Sequence, residues 1–132
     1  MKCLIVEDDF ASRSILNRFL EDYFDCDTAV NGEEALQAFK KALEANRPYD
    51  LICMDIMMPN MDGQEALRHI REFEQLTGVA PGDEVKTIMT SSLNDPRTIM
   101  NSLYVGGAAA YLVKPVTKQR LELELRNMKL IA

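Results

Sequence analysis

The sequence predicts an α/β fold in which a doubly wound, five-stranded parallel sheet carries five helices. Five short apolar segments each precede a longer segment whose apolar residues recur every three or four positions, the pattern of a strand followed by an amphipathic helix. The third apolar segment, Leu51–Met54, shows no polar alternation, as expected for a strand covered on both faces. The alternation of strands with helices favours a parallel sheet with right-handed crossovers and helices on both faces. Five strand–helix units are too few for an eight-stranded barrel.

The individual elements follow from periodicity, caps and turn residues. In the first half we predict a strand over Lys2–Val6, a helix from Phe10 to about Asp22, a strand over Cys26–Val30, a helix capped by Asn31 that ends before Arg47, and the Leu51–Met54 strand. In the second half we predict a helix over Gly63–Leu76, a surface excursion over Thr77–Glu84, a strand over Val85–Thr90, a helix capped by Asp95 that ends at Gly106, a strand over Ala109–Val113 and a last helix from Thr117 to about Lys129.

Length and composition set the class of protein. The 132 residues are enough for one domain, spanning 1–132, that buries a core without staples. The net charge of -6 argues against direct nucleic-acid binding, which needs clustered Lys and Arg. Cys3, Cys26 and Cys53 are odd in number and lack metal-ligand spacing, so we interpret them as reduced, buried thiols. No apolar run has membrane-spanning length, and we expect a soluble cytoplasmic protein.

Chemistry-bearing residues follow four of the predicted strands: Asp8 with Asp9, Asp55, Thr90-Ser91-Ser92, and Lys114. Because the carboxyl ends of parallel strands share one edge of the sheet, these side chains are expected in one crevice. Close carboxylates repel unless a cation neutralises them, and oxygen ligands suit Mg²⁺, with Asp9 and Asp55 as the direct ligands. One Asp55 oxygen then remains free to attack phosphorus, with Lys114 and a hydroxyl on the phosphoryl oxygens.

The turn after Leu51–Met54 is expected to be forced by Pro59, which lacks an N–H, and by Gly63, which is permissive at positive φ. Four methionines surround this turn, and we interpret them as apolar side chains that pack the loop against the core: Met54, Met57, Met58 and Met61. The single histidine, His69, is predicted on an exposed helix surface and is not expected to be catalytic.

The chain resembles the receiver domain of two-component response regulators, in particular the stand-alone chemotaxis receivers. Three motifs in order carry the resemblance: Leu4-Ile5-Val6-Glu7-Asp8-Asp9, the segment from Asp55 to Gly63, and Tyr111-Leu112-Val113-Lys114-Pro115. The resemblance implies a flavodoxin-like receiver topology, a phosphoacceptor at Asp55, and a Mg²⁺ site formed by Asp8, Asp9, Asp55 and the backbone carbonyl of Met57. It also implies that Lys114 contacts the phosphoryl group before a cis proline.

The resemblance further implies a switch hydroxyl and a switch aromatic, Tyr111. Ser91 fits the hydroxyl position best, with Thr90 as the alternative. The spacing from Ser91 to Lys114 is about one residue longer than usual for the family, and we expect the extra residue within Gly106–Ala110. Met57 and Leu93 are apolar where receivers with fast hydrolysis carry polar side chains, which predicts a long-lived phosphoryl form.

The implied function is a phosphorylation-activated switch, and not a multiple-turnover enzyme, that is phosphorylated by a histidine kinase or phosphotransfer protein. The partner downstream stays open, and we expect Tyr104 and the last helix to contribute to its surface, with a homodimer as a further possibility. Two alternatives remain: a receiver-like interaction module that works without phosphate, and an aspartyl-phosphate phosphohydrolase. The second is disfavoured because such enzymes carry another Asp two residues after the nucleophile, and this chain has Met57 there. A flavin carrier is disfavoured because the first strand lacks a Ser/Thr/Gly-rich phosphate loop.

Overall fold

The computed structural model describes residues 1–132, which form one parallel sheet with helices on both faces. The elements in chain order are β1 (Lys2–Val6), α1 (Phe10–Leu20), β2 (Asp25–Ala29), α2 (Gly32–Glu44), β3 (Leu51–Asp55), α3 (Gly63–Leu76), β4 (Lys86–Ser91), α4 (Pro96–Met100), β5 (Ala110–Val113) and α5 (Lys118–Asn127). The strand order is β2-β1-β3-β4-β5, which confirms the predicted doubly wound sheet.

The sheet separates two apolar layers, as its alternating side chains require. One layer contains 16 buried residues from the sheet and from α2 and α3, and the other contains 12 buried residues from the sheet, α1 and α5. Every residue of β3 is buried, which explains why Leu51–Met54 carries no polar side chain. The carboxyl end of β3 is therefore held between the two apolar layers.

The helix after β4 departs from prediction, because it is not uniformly α-helical. Pro96–Met100 is α-helical, and Asn101–Val105 forms a π turn in which the Gly106 N–H donates to the Asn101 carbonyl at 3.0 Å. A π turn places one more residue per turn than an α-helix. The extra residue expected within Gly106–Ala110 stays a prediction. Gln64 of α3 holds the turn by donating to the buried Ser102 hydroxyl at 3.0 Å.

The loop from β3 to α3 needs Gly63 for a reason that differs from the predicted one. The residue with positive φ is Asn60, at 69°, and Gly63 is not in that region. A Cβ on Gly63 would lie 2.2 Å from the Asp55 carbonyl oxygen, so α3 starts in direct contact with the backbone of β3. The Gly63 N–H donates to the Ile56 carbonyl at 2.8 Å, which closes the loop onto the strand end.

The excursion between α3 and β4 runs over the surface as predicted, and a buried ion pair fixes its far end. Glu74 is 3% exposed; it accepts from Arg71 at 2.8 Å and from the Val85 N–H at 2.8 Å. Arg71 also donates to the Gly107 carbonyl at 3.0 Å, so one side chain ties α3 to the starts of β4 and β5. None of the helices combines the length and apolar character that crossing a bilayer requires.

Candidate functional site

Asp55 is the last residue of β3 and lies almost out of solvent, with 4% of its surface exposed. Its register partner on β4 is Thr90, and Lys114 after β5 brings its Nζ within 3.4 Å of Asp55 Oδ1. Burial raises the pKa of Asp55, the charge of Glu7 raises it further, and Lys114 opposes both, so that the pKa is about 6. Lys114 therefore offsets only part of the cost of keeping this buried carboxylate ionised beside Glu7.

Lys114 makes its shortest ion pair with Glu7, a residue that the sequence interpretation did not assign to the site. Lys114 Nζ lies 2.6 Å from Glu7 Oε1, and Glu7 is only 1% exposed. Burial lowers the pKa of Lys114, but its hydrogen bond to Glu7 and the charge of Asp55 outweigh burial and raise the pKa. The peptide bond between Lys114 and Pro115 is cis, as the family resemblance implied.

Three carboxylates meet at this sheet edge: those of Glu7, Asp8 and Asp55, each with an oxygen within 4.8 Å of the others. Asp8 is exposed, so the cluster opens to solvent on one side while Glu7 and Asp55 form its buried floor. Oxygen donors of this kind match a hard divalent cation that keeps part of its water shell. The donor set therefore fits Mg²⁺.

Asp9, a predicted metal ligand, lies outside the cluster of three carboxylates. Asp9 is the N-cap of α1, where its carboxylate accepts from the Ser12 N–H at 2.9 Å. That hydrogen bond lowers the pKa of Asp9. Since β1 ends at Val6 and α1 begins at Phe10, the third acid of the run is the residue that must cap the helix. Of the three consecutive acids, Glu7 and Asp8 are the two whose carboxylates lie in the cluster.

Thr90 and Ser91 are consecutive in β4, so their side chains point to opposite faces of the sheet. Ser91 is buried, and its hydroxyl oxygen accepts from the Leu93 N–H at 3.0 Å. The hydroxyl of Thr90 is buried and makes no hydrogen bond to another protein group. Of the two candidates, only Ser91 is connected to the loop that leads into α4.

Tyr111 joins the same loop from β5. Its hydroxyl donates to the Leu93 carbonyl at 2.7 Å, while Ser91 accepts from the N–H of that residue. Burial raises the pKa of the Tyr111 hydroxyl. Ser91 and Tyr111 therefore hold one residue, Leu93, from two strands.

The methionines of the loop do not all behave as predicted. Met54 is fully buried, and Met58 and Met61 pack against the core. Met57 is 60% exposed, so its predicted packing role is wrong and its side chain lies at the surface two residues beyond Asp55. His69 lies on α3 and is partly exposed. Its Nδ1 is 3.7 Å from Glu72 Oε2 on the same helix.

Comparison with known proteins identifies the family. The model of the response regulator receiver domain matches residues 3–126. The chain belongs to the response regulator receiver family. The chain is 33% identical over 131 residues to the transcriptional regulatory protein ResD of Bacillus subtilis, a match that covers 96% of this chain and 47% of ResD. The receiver thus spans about half the length of that relative.

Solved receiver structures are similar throughout the chain. In the CheX–CheY–BeF3–Mg complex from Borrelia burgdorferi, the matching chain has 28% identity and a TM-score of 0.81, covering 98% of this receiver and 89% of that chain. In the Saccharomyces cerevisiae complex of the histidine phosphotransfer protein Ypd1 with the Ssk1 receiver domain, the matching chain has 28% identity and a TM-score of 0.84. The match covers 99% of this receiver and 92% of that chain. The predicted fold and family are confirmed.

Proposed function

We propose that this receiver is a phosphorylation-activated switch in which Asp55 accepts a phosphoryl group from a histidine kinase or a phosphotransfer protein. One observation carries the proposal: Lys114 Nζ lies 3.4 Å from Asp55 Oδ1 inside a cluster of three carboxylates. A purely structural ion pair needs one acid for one base. Here the excess negative charge matches a site completed by a cation and a phosphoryl donor.

Mg²⁺ is the cation that this donor set fits best, and Asp8 and Asp55 are its proposed direct ligands. Glu7 is held by Lys114 at the buried side of the cluster and supplies negative charge there. We further propose the Met57 backbone carbonyl as a ligand, as the family resemblance implies. When bound, the cation supplies charge neutralisation at the phosphoryl oxygens.

In the proposed transfer, an Asp55 carboxylate oxygen attacks the phosphorus of a phosphohistidine. A new O–P bond forms as the P–N bond breaks, and the imidazole of the donor leaves with that electron pair. We propose that Lys114, whose Nζ lies 3.4 Å from Asp55 Oδ1, pairs its ammonium group with a phosphoryl oxygen. The Ser91 hydroxyl is proposed to donate to another phosphoryl oxygen. The product is an acyl phosphate on Asp55.

The output follows from the contacts of Ser91. A Ser91 hydroxyl that turns toward a phosphoryl group no longer positions the Leu93 N–H, and Leu93 is also held by Tyr111. The loop into α4 then has two arrangements, and the charge on Asp55 biases between them. We propose that this rearrangement changes the exposed surface that carries Met100, Tyr104 and Val105, and that a downstream protein binds there.

We propose acceptance of one phosphoryl group per protein and no multiple turnover, with the reaction in the cytoplasm. The position two residues beyond Asp55 is the exposed Met57, which has no proton to give to a leaving group. The likeness to a receiver seen with the phosphotransfer protein Ypd1 supports a phosphohistidine donor. The similarity to ResD supports a role in a larger regulator.

Intact-mass measurement with Mg²⁺ and acetyl phosphate tests the proposal. We expect one phosphoryl adduct that disappears with EDTA or in Asp55→Asn. Asp83→Asn, at an exposed loop position, is the matched control and should be labelled like the wild type. A folded, Mg²⁺-binding protein that takes no adduct would support instead an interaction module that works without phosphate.

A further inference from the structure

Two of the three thiols lie opposite each other on neighbouring strands. Cys3 of β1 and Cys26 of β2 are register partners in the parallel sheet, and both side chains belong to the apolar layer under α1 and α5. Neighbouring strands are separated by roughly 4.8 Å. Disulfide-bonded cysteines have Cα atoms about 4.4–6.8 Å apart, so register partners on neighbouring strands satisfy the requirement on Cα separation.

The third thiol is not an equivalent partner. Cys53 lies on the same face of β3, but its register partner on β1 is Ile5, two residues along from Cys3, whose own partner on β3 is Leu51. Cys53 is also fully buried. The sheet therefore selects Cys26 as the partner of Cys3.

Cys26 is accessible where Cys3 is not. It lies on β2, the edge strand of the sheet, and is partly exposed, whereas Cys3 has no exposed surface. An oxidant in solution thus reaches Cys26 first, and the buried Cys3 lies beside it on the neighbouring strand. This is the arrangement of an attacking and a resolving thiol.

We propose that Cys3 and Cys26 form a peroxide-responsive disulfide site, separate from the carboxylate cluster. The Cys26 thiolate attacks one oxygen of hydrogen peroxide; the S–O bond forms, the O–O bond breaks, and hydroxide leaves, giving a sulfenic acid. The Cys3 sulfur then attacks the Cys26 sulfur, the S–O bond breaks, and the leaving hydroxide takes the Cys3 proton as water. The two sulfurs are oxidised and the peroxide is reduced.

The protonation states of the pair favour these roles. The neighbouring Cys3 thiol lowers the pKa of the Cys26 thiol, while burial, and then the neighbouring Cys26, raises the pKa of Cys3. Cys26 is therefore the better nucleophile toward peroxide. The bond would fasten the edge strand to β1, the strand that leads into Glu7 and Asp8.

Peptide mapping of the folded protein after hydrogen peroxide treatment tests the site. Free thiols are blocked with N-ethylmaleimide in denaturant, and the protein is digested without reductant. We expect one linked peptide pair joining Cys3 to Cys26, with Cys53 alkylated, and release of the link by dithiothreitol. Cys53→Ala should give the same link, and Cys26→Ser should give none.

Two outcomes would overturn the inference. One is Cys26 oxidised alone, to sulfinic acid or to a link between two molecules, with Cys3 still alkylated. The other is an alkylated Cys26 at a peroxide dose that oxidises a small thiol such as glutathione. The wild-type map decides by itself, so the test does not depend on whether the variants fold. It is also independent of the proposed phosphorylation, since neither thiol belongs to the carboxylate cluster.

Discussion

Lys114 lies closer to Glu7 than to Asp55: its Nζ is 2.6 Å from Glu7 Oε1 and 3.4 Å from Asp55 Oδ1. Glu7 is the more deeply buried of the two acids. The lysine is therefore anchored by a residue other than the proposed phosphoacceptor, which leaves an Asp55 oxygen available for chemistry.

Metal binding should separate Asp8 from Asp9. We expect Asp8→Asn to weaken Mg²⁺ binding at least about tenfold, because its carboxylate belongs to the three-acid cluster. Asp9→Asn should leave binding within about twofold, since an Asn side chain still caps α1. Calorimetric titration with Mg²⁺ measures both. Equal losses in the two variants would mean that Asp9 is a ligand after all.

Asp55→Asn should stabilise the metal-free protein at neutral pH. Folding raises the pKa of Asp55 from 3.8 to about 6, so the ionised native form is disfavoured by roughly 2–3 kcal/mol. Because the native state binds its proton more tightly, Asp55 lowers stability as pH rises between about 4 and 6. Urea unfolding in EDTA at pH 7 and pH 4 should show a gain at pH 7 that vanishes at pH 4. Asp83→Asn, at an exposed site, should show neither effect.

Gly63→Ala should destabilise the fold by at least about 3 kcal/mol, since the new Cβ would lie 2.2 Å from the Asp55 carbonyl oxygen. Gly78→Ala is the matched control. Gly78 has a φ of +80° but nothing near its Cβ position, so only backbone strain of about 1–2 kcal/mol is expected. Urea unfolding compares the two. Similar losses would mean that the α3 start can shift away from β3.

Ser91→Ala should uncouple phosphorylation from the loop into α4. We expect Asp55 to accept a phosphoryl group in this variant, while the amide resonance of Leu93 no longer responds to phosphorylation, because Ser91 provides the only side-chain contact to that N–H. Thr90→Val, on the opposite face of β4, should respond like the wild type. A normal Leu93 response in Ser91→Ala would assign the switch hydroxyl to Thr90.

The phosphoryl form should persist for minutes or longer. Met57 is exposed and Leu93 is partly exposed, and neither side chain can hydrogen-bond an attacking water. Decay of the intact-mass adduct after rapid removal of the phosphodonor measures the lifetime. Leu93→Glu should shorten it by supplying a carboxylate. A wild-type lifetime of only seconds would contradict this account.

The sequence alone predicted the fold and the strand ends that carry the site, because periodicity and caps are local signals. Every predicted strand is present, and α3 has the predicted bounds of Gly63–Leu76. The π turn could not be predicted, since its register depends on contacts such as that between Gln64 and Ser102. Gly63 was predicted at this loop for its tolerance of positive φ, but the loop needs it because it lies close to the Asp55 backbone. That approach is a tertiary contact that sequence does not reveal.

The acidic run shows why site residues were harder to predict than elements. Three consecutive acids offer several possible pairs, and the N-cap position of Asp9 leaves Glu7 and Asp8 as the two that lie in the carboxylate cluster. One local signal was available: the residue immediately before a predicted helix start is the preferred cap. Placing that start at Phe10 assigns Asp9 to the helix and leaves Glu7 and Asp8.

Chemical trapping of the phosphorylated residue tests whether Asp55 is the phosphoacceptor. The protein is incubated with Mg²⁺ and acetyl phosphate and then treated with borohydride, which reduces an acyl phosphate to an alcohol, and the peptides are mapped by mass spectrometry. We expect homoserine at Asp55 alone, and none when EDTA is present. Reduction at Asp8, Asp9 or Glu7 with Asp55 intact, or trapping that does not depend on Mg²⁺, would contradict that assignment.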